Sequence, residues 1–404
     1  MEKETATATD EEGSTVHLFC SQAALSKSLA TVGHAVASRS TLPVMGHVLL
    51  STEGSRLRLA TTNMDIAIVS WIPAEIDSEG SIAVPWRLFT DLTNTLVCER
   101  IELDLNRRSQ TLIVRGARSE ANVKGLDASE FPRIDQVLEP PLLSIPGDTL
   151  CSAISDVQFA AAKDDMRPQL AGLLLRLGPR EAGLSQDAEL TLVGCDSFRL
   201  SIRHVSLETP VQHTVDLIVP ARTMQEVSRI FSGTEETIAI ATTPNRSQVL
   251  FHSESVDIVS RLIEGNYVDF SRLLDQTARH TVHITVTTDD LERAARFTSY
   301  VSRDANNALH LSIKPANADN GPGTLTLQAS AAQIGENVTE IDGVVEGGAA
   351  EMNLDNTYLT DAVTAIHTKQ TAIWTTNGQM LPVLLKPVGT DEVLHMIMPM
   401  HLTR

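Results

Sequence analysis

The chain has 404 residues and a formal net charge of −19, set by 32 Lys and Arg against 51 Asp and Glu. That charge excludes a protein that wraps nucleic acid by bulk attraction, while leaving room for a local basic surface. Hydrophobic residues make up 42 % but aromatics only 4 %, so the cores must be aliphatic, and they are large enough to need no staples.

Residues 1–14 are acidic and rich in Thr and Ala, without the apolar stretch of a secretion signal, and read as a disordered tail. Short strands follow, among them Met45-Gly46-His47-Val48-Leu49-Leu50. The segment Ile82-Ala83-Val84-Pro85-Trp86-Arg87-Leu88 is a strand that hands over at Val-Pro to a helix, where the missing proline N–H costs nothing. Strands at Ile101–Leu105 and Thr111–Arg115 come next. An amphipathic helix is expected over Asp148–Ala162, then strands at Ala171–Leu175, Glu189–Val193 and Arg199–Ile202. Leu217-Ile218-Val219-Pro220 again feeds a helix, Arg222–Phe231, followed by strands Thr237–Ala241 and Gln248–His252. A helix is expected over Asp289–Val301, capped by Thr288 or Asp289 with Glu292 completing a capping box. Asn307–Ile313 reads as a strand, and Met352-Asn353-Leu354 leads into a helix from Asn356. Pro179–Gln186 and Ala316–Gly323 are turn-rich loops. The apolar C-terminus starts as a last strand from Val393, with Met398–Leu402 free to line a soft groove.

Landmarks in this series recur in the same order. Val-Pro-Trp-Arg at 84–87 returns as Val-Pro-Ala-Arg at 219–222, Phe131-Pro132-Arg133-Ile134 as Tyr267-Val268-Asp269-Phe270, and the Gly46 strand as the Gly172 strand. A fainter third copy runs from Asp289. The chain is therefore α+β, with three repeated domains, each of two helices on antiparallel sheet, at residues 15–142, 143–280 and 281–404.

Catalytic signatures are missing from the sequence: it has no Walker loop, GxGxxG, GxSxG or HExxH. Asp164-Asp165 has no third ligand nearby, and His204 and His213 lack ligand spacing, so neither a metal nor another cofactor is expected. Cys20, Cys98, Cys151 and Cys195 lie far apart with no CxxC pair, which fits a reducing cytoplasm. Asn245-Arg246-Ser247 and Asn337-Val338-Thr339 match glycosylation sequons that have no meaning there. No run approaches the ~18 apolar residues of a membrane span. Basic residues recur on or just after the expected helices: Lys27, Arg39 and Arg87; Lys163 and Arg167 closing the third helix; Arg222 and Arg229; Arg293, Arg296 and Arg303. Singly they read as ordinary i,i+4 surface charge. Their repeated placement favours one helical face meeting phosphates.

The segments Arg39-Ser40-Thr41-Leu42-Pro43-Val44, Asp196-Ser197-Phe198-Arg199-Leu200, Val219-Pro220-Ala221-Arg222 and Met398-Pro399-Met400-His401-Leu402, together with the threefold repeat, resemble the bacterial replicative sliding clamps, the β subunit of the DNA polymerase III holoenzyme. The resemblance covers about residues 15–404. It implies a head-to-tail homodimeric ring of six similar domains around duplex DNA, without an active site or cofactor of its own. Its partners would be the replicative polymerase α subunit, the clamp loader and other clamp-motif proteins. A ring is held on DNA by topology, which reconciles a basic inner face with an acidic exterior.

Carried over by position, the family's partner-peptide pocket would be lined by Leu170, Cys195, Ser197, Phe198, Arg199, Leu200, Val268, Arg272 and Leu273, with Pro382, Met396, Met398, Pro399, Met400 and His401. Arg39, Arg87, Lys163, Arg167 and Arg222 would face DNA, and Tyr300 and Val301 would lie at the dimer interface. The sequence departs from the family where Cys195 replaces a common Thr, Val268 a Pro, His401 an Arg, and Ala121 an aromatic near the subunit edge. Two alternatives follow: a diverged second clamp whose pocket evades a clamp-binding antibiotic, and a repeat adaptor that binds proteins and never encircles DNA.

Overall fold

A computed structural model describes residues 15–37, 42–134, 137, 139–164, 166–179, 188–207, 213–316, 322–377 and 381–400. The N-terminal tail, Arg39, His401, Leu402 and most of the two turn-rich loops lie outside the described residues.

The same series of elements occurs three times: a strand, a helix, four strands, a helix and three strands. The first copy runs Thr15–Ser21, helix α1 (Gln22–Val32), His47–Glu53, Arg56–Thr62, Ile66–Ser78, Ser81–Pro85, helix α2 (Trp86–Thr95), Arg100–Asn106, Thr111–Gly116 and Ser119–Lys124. The second runs Leu143–Pro146, α3 (Gly147–Ser155), Gly172–Pro179, Ala188–Cys195, Arg199–Leu207, Val215–Pro220, α4 (Ala221–Phe231), Thr237–Thr242, Gln248–His252 and Val256–Arg261. A connecting helix, α5 (Ser271–Thr277), leads to the third: Val282–Thr287, α6 (Thr288–Ser302), Ala308–Lys314, Gly323–Ala331, Gly335–Glu346, Ala350–Asp355, α7 (Asn356–Thr364), Gln370–Thr375, Val383–Pro387 and Val393–Ile397.

The strands form because apolar residues alternate. In Arg100–Asn106 the side chains of Ile101, Leu103 and Leu105 turn inward while their neighbours stay out. Each helix pair buries an aliphatic stripe on the sheet. In the third copy Leu291 and Ala295 of α6 and Leu359 and Val363 of α7 share a core with Leu309, Leu327 and Leu385. Each such fully buried leucine contributes roughly 1.5–3 kcal/mol, which is how so few aromatics suffice.

Two helix boundaries differ from the sequence expectation. The helix expected to reach Ala162 stops at Ser155 and gives way to a separate 3-10 turn, Gln158–Ala160. The cause is a backbone approach: a Cβ on Gly194 would lie 2.2 Å from the Val157 carbonyl oxygen, so the chain presses on a glycine and cannot carry a helical turn past it. Lys163 and Arg167 therefore sit in the loop beyond, not on the helix. In α6 the capping residue is Thr287, with no side-chain cap bond, while Asp289 stands in the first turn. Glu292 does not reach back as in a capping box; it bonds Arg296 and Thr364 instead. Pro85 and Pro220 are the residues that start α2 and α4, as the pattern implied.

The chain divides into two compact units, residues 1–144 with 236–261, and residues 145–235 with 262–404. In the first unit Val256–Arg261, the last strand of the second copy, pairs antiparallel with the start of Ile66–Ser78, setting Val259 opposite Ala67. In the second unit Val393–Ile397, the last strand of the third copy, pairs with Arg199–Leu207, setting Met396 opposite Leu200. Each last strand thus zips onto the fourth strand of the preceding copy. Among the described residues, Gly335–Glu346 receives no such strand, and Ser119–Lys124 pairs only with Thr111–Gly116.

Candidate functional site

Within the second unit, the turn between Ala188–Cys195 and Arg199–Leu207 organises the residues expected to line a peptide pocket. Asp196 accepts from the backbone N–H of Phe198 at 2.7 Å and of Arg199 at 2.9 Å through Oδ1, a side-chain mimic of a backbone turn. Its Oδ2 accepts from Arg199 Nε at 3.0 Å. The Arg199 guanidinium also donates to Asp361 Oδ2 on α7 at 2.6 Å and to the Phe159 carbonyl, and lies 4.4 Å from the Tyr358 ring. Buried and fully engaged, it clamps the turn to α7 and to the 3-10 turn rather than standing free at a pocket wall.

Strand pairing builds the apolar floor. Met396 faces Leu200 on one side and Leu384 on the other. With Leu170, Cys195 and Phe270 these residues form one buried cluster, against which Tyr267 and Leu273 pack. Tyr267 donates to the Val193 carbonyl at 3.3 Å, which pins the 262–270 loop and leaves the next residue, Val268, standing out. Phe198 is likewise 57 % exposed, at the tip of the turn. Met398 donates its N–H to the Phe198 carbonyl at 2.8 Å and Met400 to the Asn353 carbonyl at 2.7 Å, so the segment after the last strand lies along this turn. Pro382 is buried, its carbonyl accepting from His280 Nε2 at 2.8 Å. Ser197 and Arg272 are exposed, and Arg272 pairs with Asp269 at 3.4 Å. Burial pushes the Cys195 thiol up to about 12, so it is neutral and not a nucleophile.

A closed apolar floor with an exposed aromatic and aliphatic rim can seat the side chains of a short extended peptide. It offers no acid, base or metal constellation, and the described residues hold no metal-ligating group of three or more His, Cys, Asp or Glu. The sequence reading missed Leu384, Leu394, Phe270 and Tyr267 in the floor. For Leu384 and Leu394 the signal was apolar alternation, which does not tell one sheet face from another; for Tyr267 and Phe270 it was the recurring landmark, which marks the repeat and not the floor.

The basic residues are spread along the chain. Arg87 and Arg222 occupy the same exposed position, second in α2 and in α4, behind the starting proline. Lys163 and Arg167 are exposed in their loop. Arg293 pairs with Asp290, Arg296 with Glu292 and Arg229 with Glu226, the ordinary helix-surface reading. Tyr300 is 71 % exposed on α6 and Val301 half-buried. Phe297 is exposed on the same helix, and its carbonyl accepts from Asn337 of Gly335–Glu346, a strand in which Val338 is exposed and before which Ile334 is exposed too. Ala121 sits half-buried on the edge strand Ser119–Lys124.

Three families of domains match in order: the N-terminal domain of the DNA polymerase III beta subunit over residues 16–135, its central domain over 144–269 and its C-terminal domain over 277–401. The beta sliding clamp of Staphylococcus aureus is 30 % identical over 375 residues, covering 90 % of this chain and 94 % of that one. The clamp of Bacillus subtilis strain 168 is 28 % identical over 93 % of this chain and 97 % of its own. The solved DNA polymerase sliding clamp from Bacillus subtilis superposes with a TM-score of 0.88 at 26 % identity, over 96 % of this chain and all of that one. A Pseudomonas aeruginosa clamp solved bound to griselimycin gives a TM-score of 0.84 at 26 % identity, with the same coverage.

Proposed function

The chain belongs to the DNA polymerase III β subunit family, the sliding clamps that act as processivity factors, and we propose that two copies close head to tail into a ring around duplex DNA. The observation that supports the ring is the strand zip. Twice within the chain a copy's last strand completes the preceding copy's sheet, at Val256–Arg261 and at Val393–Ile397. Among the described residues two ends of that scheme are vacant: the start of Gly335–Glu346, before its pairing with Val282–Thr287 at Gly343–Glu346, and the outer side of the strand Ser119–Lys124. A second copy supplies each end with the strand it lacks, and the contact is heterologous, so two such contacts close. Tyr300, Val301 and Phe297 flank that edge.

In this reading Arg39, Arg87, Lys163, Arg167 and Arg222 face the phosphates, and sequence-independent contacts let the ring slide. The peptide groove of Leu200, Met396 and the Phe198 and Val268 rims takes the tails of the polymerase α subunit, the clamp loader and other clamp-binding proteins. The ring tethers them and works in the cytoplasm without an active site of its own. No observation favours the resistance or adaptor readings over this one.

The test is retention. After loading by an ATP-driven loader, the protein should stay on nicked circular DNA through a salt wash and leave when one cut linearises the circle. Equal retention on circular and linear DNA, or none on either, overturns the ring.

A further inference from the structure

We propose that the junction of the first and second copies holds a second, separate docking groove, for a short acidic peptide with one leucine-sized anchor. This goes beyond the clamp reading and does not rest on it. The repeat reproduces the peptide-site turn in the first unit. Asn63 Oδ1 accepts from the N–H groups of Asp65 and Ile66, both at 3.0 Å, as Asp196 does for Phe198 and Arg199. The Arg261 N–H donates to the Asp65 carbonyl at 2.9 Å, as Met398 does to Phe198. Register then equates Ala67 with Leu200 and Val259 with Met396, while the Phe131 motif equates Pro132 with Val268 and Arg133 with Asp269.

The scaffold is shared but the chemistry has changed. Ala67 and Val259 are shorter than Leu200 and Met396, and with Ile66 and Ile134 they form the apolar side of a cavity of about 90 Å³ that Thr62 and Gln248 also line. That is room for one branched aliphatic side chain. The rim carries Arg133 and Arg261, both exposed, and neither has an ion-pair partner among the described residues. Arg133 stands where the other groove has an aspartate, and Arg261 where it has a methionine. In a chain of net −19, two guanidiniums with no ion-pair partner among the described residues, beside the apolar side of this cavity, match an apolar anchor flanked by carboxylates, which guanidinium forks grip bidentately. Asp65, on the same rim, disfavours a carboxylate directly above the turn and so places the acidic flanks on the Arg133 side.

The probe is the fluorescein-labelled peptide Glu-Asp-Leu-Asp-Glu, titrated by anisotropy against the full chain. Binding should weaken by about tenfold or more in the Arg133→Glu/Arg261→Glu double variant. It should also weaken about fivefold in Ala67→Leu, which fills the floor, and when the peptide's leucine is replaced by glycine. Leu200→Ala, in the other groove, should leave it unchanged. The proposal is overturned if the charge-reversed variant binds as the parent does. It is also overturned if the glycine peptide binds equally, which would mean charge attraction alone, or if Leu200→Ala abolishes binding, which would place the peptide in the other groove.

Discussion

Arg199 shows how one residue can be recognised in sequence while the partners that hold it stay hidden. Its position beside Asp196 is legible, because an aspartate three residues before an arginine at a strand start suggests an Asx turn. Its other holders are not: Asp361 lies 162 positions away and Phe159 lies 40 away. Because the guanidinium is buried among partners, Arg199→Ala leaves Asp196 and Asp361 uncompensated. A loss of about 3–5 kcal/mol in unfolding free energy is expected, read as a lower urea midpoint. A surface pocket residue such as Ser197→Ala should move that midpoint by no more than about 0.5 kcal/mol. His395 gives the pH counterpart. It is fully buried, bonded to Ser201 Oγ at 2.9 Å and set against the Phe159 ring, and burial lowers its pKa from 6.5 to about 3. The native state therefore refuses a proton that the unfolded chain accepts below pH 6.5. The contribution to stability is full above that value and is lost as pH falls toward 3, at up to about 1.4 kcal/mol per unit. Asp156, beside Arg203 and His367, has its carboxyl pushed above the usual carboxylate range by burial. The comparison is thus between the parent and His395→Gln, and the variant should show the shallower fall in unfolding midpoint between pH 6.5 and 4.

Among the elements, strands and helices with clear apolar periodicity were readable, as α4, α6 and α7 illustrate. Their terminations were less so. The end of α3 depends on Gly194 in a strand some 40 residues on, and the start of α6 on a threonine that makes no cap bond, so neither leaves a local signal. What sequence patterning could not reveal at all was which strand zips onto which. The most informative single element is Gly335–Glu346, whose outer edge carries the exposed Val338. Val338→Pro takes an N–H out of this strand at a residue whose side chain lies outside the buried core. Sedimentation should then show a monomer where the parent is a dimer. A parent that is itself monomeric at micromolar concentration would count against the ring, and a proline variant that still dimerises would place the partner contact elsewhere.

For the whole molecule, the charge of −19 and the recurring exposed basic residues act at different ranges. Bulk repulsion is screened within about 8–10 Å at physiological salt, whereas a phosphate contact is local. Reversing Arg87, Lys163, Arg167 and Arg222 to glutamate should shorten the lifetime on circular DNA and flatten its dependence on salt, since every phosphate left without its cationic side chain keeps about one counterion that binding would otherwise release. Dimerisation of the same variant should be unchanged. If its lifetime and salt slope match the parent's, these residues do not meet the duplex.

The interlocked strands also set a timetable for the nascent chain. A ribosome that has completed residue 144 has made every strand of the first copy, yet the long strand Ile66–Ser78 still lacks its neighbour, which arrives only with Val256–Arg261. Until then its first turn of β-structure is a bare, apolar edge of the kind that recruits other chains. A fragment ending at residue 235 should accordingly precipitate, or titrate a chaperone, while one ending at residue 262 should be markedly more soluble. Repetition that makes each copy easy to encode thereby makes each copy wait for the next one to be synthesised.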